Sequence, residues 1–140
     1  MTVDLSLCPC GSTGPYESCC GAFHSGTALP ETAEQLMRSR YSAYVKAEID
    51  YLKQTLWPAY QKQFDPVGTL IRAKDSRWIG LEILASGAGQ KKDKEGFVLF
   101  IARSVVNDRA NEQREKSLFR QKVGRWYYLR ALPESQSKSD

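Results

Sequence analysis

The spacing of apolar positions after residue 30 predicts helices in the first part of the body of the chain. Apolar side chains recur every three or four positions between residues 32 and 45, as on one face of an α-helix. They are Leu36, Met37, Tyr41, Tyr44 and Val45. Thr32 is a suitable N-cap, and Gln35 three positions later completes a capping box. A second, short helix is predicted at about 48–56, where Pro58 ends it.

The pattern changes to that of strands after residue 76. Residues 77–85 alternate between apolar and polar, whereas 97–106 are apolar on both faces, as in a central strand. The predicted apolar face of the first strand consists of Ile79, Leu81, Ile83 and Ala85. Residues 111–122 and 125–132 are predicted to form a hairpin across Val123-Gly124. Helices followed by a meander of strands indicate an α+β fold with an antiparallel sheet.

Turn-forming and polar residues mark the predicted connections. Pro66-Val67-Gly68 predicts a turn in the irregular stretch between the second helix and the first strand. Residues 86–96 are rich in glycine and lysine and are predicted to be a mobile loop. The polar stretch 133–140 is predicted to be disordered. The chain therefore divides into a short segment over 1–27, a folded body over 28–132 and a tail over 133–140.

The strongest chemical feature of the chain is a cluster of all four cysteines near its start. They are Cys8, Cys10, Cys19 and Cys20. Four thiolates suit a closed, tetrahedral structural site for one metal ion, with Zn²⁺ the default and Fe²⁺ the alternative. Two disulfides are the rival interpretation. Residues 1–7 carry neither the basic residue nor the apolar run of a signal peptide, so we expect a reducing cytoplasm and reduced thiols.

The local sequence around the cysteines favours a tight loop. Pro9 restricts the backbone between the first two thiols, and Gly11, Gly14 and Gly21 allow angles that other residues resist. Backbone amides near Gly11 and Ser12 are expected to donate to thiolate sulfur. Such a knuckle has no apolar core, so its order is expected to depend on metal binding.

Several motifs of the chain occur in a recognisable order. Cys-Pro-Cys-Gly-Ser, an aromatic residue and Cys-Cys-Gly resemble the SEC-C metal-binding knuckle that is also found in SecA. Five further motifs of the body follow in the order found in the bacterial YchJ family, so the resemblance covers about residues 8–132. They are the stretches at 36–45 with 50–52, 78–81, 96–102, 115–119 and 124–128. The resemblance implies a nuclear-transport-factor-like (cystatin-like) cone, with helices packed on a curved antiparallel sheet.

The resemblance also bears on the ligands and partners of the knuckle. It assigns the fourth ligand position to Cys20, whereas the spacing alone leaves His24 as an alternative ligand or as an exposed residue at the junction with the body. In SecA the related knuckle contacts a chaperone and the ribosome. The resemblance thus implies a protein partner linked to protein synthesis or export, and we expect contact through Tyr16, Glu17 and His24.

Charge and composition narrow the remaining function classes. All 20 basic residues and all but two of the 16 acidic residues follow residue 30, so an acidic knuckle precedes a basic body. The basic hairpin permits an alternative function in RNA binding, with Trp126 and Tyr127 available for stacking. Its cations are Arg114, Lys116, Arg120, Lys122, Arg125 and Arg130. No apolar run is long enough for a transmembrane helix, so no membrane partner is expected.

A catalytic role for the body has little support in the sequence. The only histidine, His24, lies near the knuckle, and no familiar set of nucleophile and base is present. Glu82 and Glu115 could face a pocket in the cone, but we expect them to pair with Arg38, Arg40 or Arg103. Trp78, Trp126 and Tyr128 could line such a pocket, but core packing is the favoured interpretation. We therefore expect binding without catalysis, with a small-molecule site or an enzyme in the cone as the alternative.

Overall fold

Four consecutive strands form one antiparallel sheet in the order in which they occur in the chain. The computed structural model, which describes residues 7–133, gives their bounds. They are β1 Arg77–Ala88, β2 Glu95–Val106, β3 Arg109–Lys122 and β4 Arg125–Leu132. All four predicted strands are thus confirmed, as is the hairpin across Val123-Gly124. Apart from Pro133, the predicted tail lies outside the described residues.

The first hairpin of the sheet is longer than the sequence indicated. Residues 86–96 were predicted to be a loop, but Ser86 pairs with Val98 and Ala88 pairs with Gly96, so strand pairing continues into this segment. The two strands approach closely at their end, where a Cβ on Gly96 would lie 2.3 Å from the Cα of Gly89. Glycine is therefore required there, and its presence reflects close backbone packing as much as flexibility.

Two irregularities in β1 change which side chains face the core. The register with β2 shifts between Trp78 and Gly80 and again between Ile83 and Ala85. Each shift inserts one residue and reverses the alternation that follows it. Ile79 is consequently 53% exposed, while Trp78 packs against the core together with Leu81 and Ile83. The predicted single face containing Ile79 and Ala85 is therefore wrong at these two positions.

Within residues 7–76, four α-helices precede the sheet. They are α1 Cys20–His24, α2 Ala33–Lys46, α3 Ile49–Gln54 and α4 Pro66–Asp75. The Thr32 hydroxyl caps α2 by accepting a bond of 3.1 Å from the Gln35 amide. The Gln35 side chain accepts from the amide of Glu31, one residue before the N-cap. The predicted N-cap is thus confirmed. The capping box differs slightly, because the Gln35 side chain bonds the amide of Glu31 and not that of Thr32.

Helix α4 corrects the prediction of a turn at Pro66-Val67-Gly68. These residues form its first turn, because Asp65 is an N-cap whose carboxylate accepts from the Gly68 amide at 3.0 Å. Proline is tolerated at the first helical position, where its missing N–H has no intrahelical partner. The Asp-Pro pair therefore begins a helix here.

The main core lies between α2 and one face of the sheet. Its buried members are Ala33, Leu36, Met37, Tyr41, Val98, Phe100, Ala102, Phe119 and Trp126. The indole N–H of Trp126 donates to the carbonyl oxygen of Glu31 at 3.0 Å, so this large side chain is satisfied inside the protein. The structure confirms the α+β architecture and the assignment of Trp126 to the core.

Candidate metal centre

The four cysteines converge because a short loop folds back on itself. The amide of Cys8 donates to the carbonyl oxygen of Gly14 at 2.9 Å, which closes the loop after Cys10. A single turn of 3₁₀ helix, Tyr16–Ser18, then leads to Cys19, and Cys20 is the first residue of α1. Local backbone structure thus fixes the positions of both cysteine pairs, Cys8 with Cys10 and Cys19 with Cys20.

The sulfur atoms have the separation that a tetrahedral site requires. All four Sγ atoms lie within 4.8 Å of one another, and those of Cys10 and Cys19 are 3.6 Å apart. Metal–sulfur bonds of about 2.3 Å in a tetrahedron place neighbouring sulfurs about 3.8 Å apart. All four thiols are free, and the 3.6 Å separation is far beyond a disulfide bond. The donor set therefore fits a metal ion with four thiolate ligands.

Two residues of the knuckle adopt left-handed backbone angles, and a third position has no room for a side chain. Gly11 adopts a φ of 86°, and Thr13 also has a positive φ, of 68°. Gly21 is needed for space, because a Cβ there would lie 2.7 Å from the carbonyl oxygen of Tyr16. The predicted use of glycine is correct at Gly11, whereas the second left-handed residue is Thr13 and not Gly14.

Crowding of the thiols perturbs their acidity in the metal-free cluster. Hydrogen bonds from the thiols of Cys10 and Cys20 lower the pKa of Cys8. The contacts of Cys20 with Cys10 and Cys8 raise its own pKa, and burial raises the pKa of Cys19. Four neighbouring sulfurs cannot all be ionised without a counter-charge. A divalent cation supplies that charge, so metal binding and deprotonation are coupled.

Hydroxyl groups contact the sulfur atoms from two sides. The Ser12 hydroxyl lies 3.1 Å from the Sγ of Cys19, and the Ser42 hydroxyl of α2 lies 3.4 Å from the Sγ of Cys8. The predicted amide donor near Gly11 has another partner, because the Gly11 N–H points to the carbonyl oxygen of Cys8. The outer contacts of the sulfurs are therefore serine hydroxyls, one of which belongs to the body.

Helix α2 also holds the knuckle in place through Arg38 and Ser39. The Arg38 Nη1 donates to the carbonyl oxygen of Cys10 at 2.7 Å. The Nε2 of His24 donates to the carbonyl oxygen of Ser39 at 2.9 Å, which leaves Nδ1 to accept from the Tyr16 hydroxyl at 2.6 Å. His24 is half-buried, with both ring nitrogens engaged away from the sulfurs. It is neither in the sulfur cluster nor an exposed junction residue.

The residues of α2 that contact the knuckle were not predicted from the sequence. Arg38 and Ser42 are polar residues four positions apart, so they lie on the same helix face, and that face contacts the knuckle. Met37, Tyr41 and Tyr44 lie around the other side of α2 and line an interior cavity. The helical spacing of Arg38 and Ser42 places both side chains on one face of α2, but it does not indicate what that face contacts.

The two candidate acids of the body have different environments. Glu82 points away from the core and forms an ion pair of 3.0 Å with Arg103, as expected. Glu115 points inward and accepts bonds from Ser117, at 2.6 Å, and from Tyr128, at 3.0 Å. Within residues 7–133, no basic group lies within ion-pair distance of Glu115, so its predicted pairing with an arginine is wrong. Trp78 and Tyr128 line the cavity as well as packing against the core.

The aromatic residues of the basic hairpin are already occupied. Trp126 is buried in the core, and Tyr127 packs edge-to-face against Trp57. The ring of Trp57 in turn lies 5.4 Å from the guanidinium of Arg120 and 5.5 Å from the ammonium of Lys122. Base stacking requires free aromatic faces, so Trp126, one of the two rings expected to stack on RNA, is not available for it.

Comparisons with known proteins agree with this architecture. A family model described as "YchJ, middle NTF2-like domain" matches residues 32–131. A UPF0225 protein of Geobacter sulfurreducens is 42% identical over 123 residues, which cover 88% of this chain and 76% of the relative. These matches confirm the predicted nuclear-transport-factor-like (NTF2-like) fold of the body.

Two solved structures of SEC-C motif containing proteins are similar over most of their length. The solution structure from Rhodopseudomonas palustris has a TM-score of 0.82 and 34% identity, and covers 90% of this chain and 97% of that one. The crystal structure from Psychrobacter arcticus has a TM-score of 0.80 and 30% identity, and covers 93% of this chain and 84% of that one. Among residues 7–133, no helix is both long and apolar enough to cross a bilayer.

Proposed function

This chain belongs to the YchJ family, as its motifs predicted, and we propose that it is a zinc-binding protein whose knuckle serves as a protein-interaction module. The convergence of four cysteine Sγ atoms within 4.8 Å is the observation that carries the proposal. Four thiolates fill the coordination shell and leave no position for a substrate water. The ion would therefore have a structural role, and the proposed activity is binding without catalysis.

The proposed contact surface is the exposed loop of the knuckle. Glu17 is exposed, whereas Tyr16 and His24 are half-buried, and Tyr16 also lies under the ammonium of Lys46 at 4.6 Å. Of the three expected contact residues, Glu17 is thus the most accessible. Residues 7–27 contain no Lys or Arg, and four thiolates with one divalent ion add negative charge. This charge favours a basic protein partner through electrostatic complementarity.

The proposal places the protein in the cytoplasm, where thiols remain reduced. The SEC-C resemblance makes a chaperone or the ribosome the first partner to test. Metal identity can be tested separately, because protein purified without added metal should contain one zinc per chain. Iron in its place would retain the four-thiolate site and change only the ion.

Co-sedimentation with purified ribosomes, and capture by a purified export chaperone, test the interaction directly. The intact holo protein should bind one of them, and Cys19→Ser should abolish binding because it removes a metal ligand. Glu17→Lys should weaken binding several-fold without loss of metal. Glu112→Lys is the matched control, since it makes the same charge change at an exposed position of β3. Equal binding by wild type and both knuckle variants would contradict the proposal.

A further inference from the structure

A cavity in the body lies apart from the knuckle and has its own chemistry. It measures about 260 Å³ and lies between α2, α4 and the inner face of the sheet. Its walls are largely aromatic and apolar, with Tyr41, Tyr44, Trp78, Phe100 and Tyr128 among them. Small-molecule sites combine such walls with a few polar groups that fix orientation. Here, those polar groups include Arg40 and Glu115.

Arg40 brings a positive charge into this cavity without a direct ion pair in the described part of the chain. Its Nη1 donates to the carbonyl oxygen of Leu52 at 2.9 Å and to the hydroxyl of Thr55 at 2.6 Å. Its guanidinium lies over the ring of Tyr128, 4.8 Å from the centroid. Within residues 7–133, no carboxylate lies within ion-pair distance of it. Burial accordingly lowers the pKa of Arg40, although a guanidinium stays charged.

Part of the Arg40 fork remains open for a ligand. Neither Nε nor Nη2 makes a hydrogen bond within the described part of the chain. No fully buried side-chain nitrogen or oxygen there lacks a partner, so these two nitrogens must keep accessible surface. The Tyr44 hydroxyl also lacks a hydrogen-bond partner among residues 7–133 and lines the same cavity. The cavity thus presents donors that the protein itself does not use.

Glu115 lines the same cavity, and its charge partly offsets the effect of burial on the pKa of Arg40, but the hydrogen bonds of its carboxylate come from other donors. Its Oε2 accepts from Ser117 and Tyr128, and its Oε1 accepts from Gln113 at 3.2 Å. Arg72, an exposed residue of α4, adds a second cation to the lining. The two arginines therefore outnumber the single acid around the cavity.

We propose that this cavity is a binding site for a small, planar organic carboxylate. The ring of the ligand would pack among Tyr44, Trp78 and Phe100, and its carboxylate would accept from the open edge of Arg40. A guanidinium fork suits a carboxylate because two parallel hydrogen bonds can form. The volume is slightly below the range of typical ligand pockets, so a ligand with a single ring fits best. The proposal is independent of the metal and of any partner of the knuckle.

Titration of the metal-loaded full chain with benzoate and benzamide tests this proposal. The two probes have nearly the same shape and differ in charge. In ¹H–¹⁵N correlation spectra, benzoate should shift the signals of the Trp78 indole, Tyr44 and Ala102, and should bind at least about tenfold more tightly than benzamide. Equal affinity for the two probes, or no saturable shift at these residues with benzoate, would overturn the proposal.

Variants distinguish benzoate binding in the cavity from general attraction to the positive surface. Arg72→Gln should weaken benzoate binding and leave benzamide unchanged, whereas Lys74→Gln, the same charge change on the same helix, should have no effect. Equal losses from both substitutions would mean general charge attraction and would also overturn the site. Arg40→Lys keeps the charge but removes the fork, so benzoate should bind more weakly. If that variant fails to fold, the comparison of Arg72→Gln with Lys74→Gln remains the test of the charge. Ala102→Leu tests the location separately, because it fills the cavity and benzoate binding should be lost in protein that still folds.

Discussion

The knuckle and the body of this protein are held together by different physical means. Within residues 7–27, the buried hydrophobic residues are three cysteines, Cys8, Cys10 and Cys20. The body instead buries a cluster of aliphatic and aromatic side chains between α2 and the sheet. Polar contacts join the two regions, including those of Arg38 and Ser42 with the loop, and Phe23 and His24 of α1 also pack against body residues around Tyr51. We therefore expect the order of the cysteine loop to depend on its ion, and the body to fold on its own core.

Removal of the metal should have the largest effect of the changes that test this difference. A strong chelator should make the backbone of residues 7–25 exchange its amide hydrogens freely, because the remaining sulfur cluster has no bond to close it. The amides of β2 and β3 should keep their protection. Hydrogen exchange measured by mass spectrometry, before and after chelation, gives both readings from one sample. Loss of near-UV dichroism across the whole protein would contradict the division.

The second expected effect concerns the body. Phe119 is fully buried at the centre of the core, so Phe119→Ala should lower the free energy of unfolding by about 3–5 kcal/mol. Urea denaturation of the holo protein measures this change. Val123→Ala is the control, because Val123 is 93% exposed and should change stability little. The variant should still bind one metal ion under conditions in which it remains folded.

The same comparison explains what could be predicted from the sequence. The four thiols lie close together along the chain, so their spacing alone indicates a common ligand set. The body was predictable where its alternation is regular, as in 97–106. It was not predictable at Ile79, because a bulge depends on pairing with β2. The helix at Pro66 was missed because Asp65 acts as an N-cap, which local composition did not distinguish from a turn.

The docking contacts were the least predictable part of the site. The roles of Arg38, Ser39 and Ser42 depend on how α2 meets the loop, and no pattern within either segment specifies that meeting. The orientation of Glu115 has the same origin, because its hydroxyl partners come from β3 and β4. Sequence patterns indicate which face of an element is buried, whereas they do not indicate which polar groups meet across a tertiary contact.

A smaller effect is expected at the junction between the regions. Arg38→Met removes the charged donor to the carbonyl oxygen of Cys10 and should ease local opening of the knuckle by about 1.5–3 kcal/mol. Hydrogen exchange of residues 8–14 in the holo protein measures that opening. Glu34→Gln is the matched control, because it weakens only the partly exposed ion pair between Glu34 and Arg38. Equal effects of the two substitutions would show that the bond to Cys10 contributes nothing.

The smallest expected effect is a pH dependence that arises at the same junction. Burial raises the pKa of Tyr51 from 10.0 to about 12, and its hydroxyl is hydrogen-bonded to that of Ser39. The unfolded chain therefore loses this proton at a lower pH than the folded protein does. Tyr51 should therefore contribute a loss of about 1 kcal/mol per pH unit to the free energy of unfolding between pH 10 and 12, and none below pH 10. In Tyr51→Phe, which cannot ionise there, the slope of the unfolding free energy over this range should be smaller. An unchanged slope would contradict the assignment.

The most direct test of the central claim is the metal and thiol content of the purified protein. Elemental analysis, combined with mass spectrometry after alkylation in denaturant, should give one metal ion per chain and four free thiols. Before chelation, the folded protein should resist alkylation at Cys8, Cys10, Cys19 and Cys20, and after chelation all four should react. A metal content near zero, or the mass of a chain with two disulfides, would contradict a four-thiolate metal site.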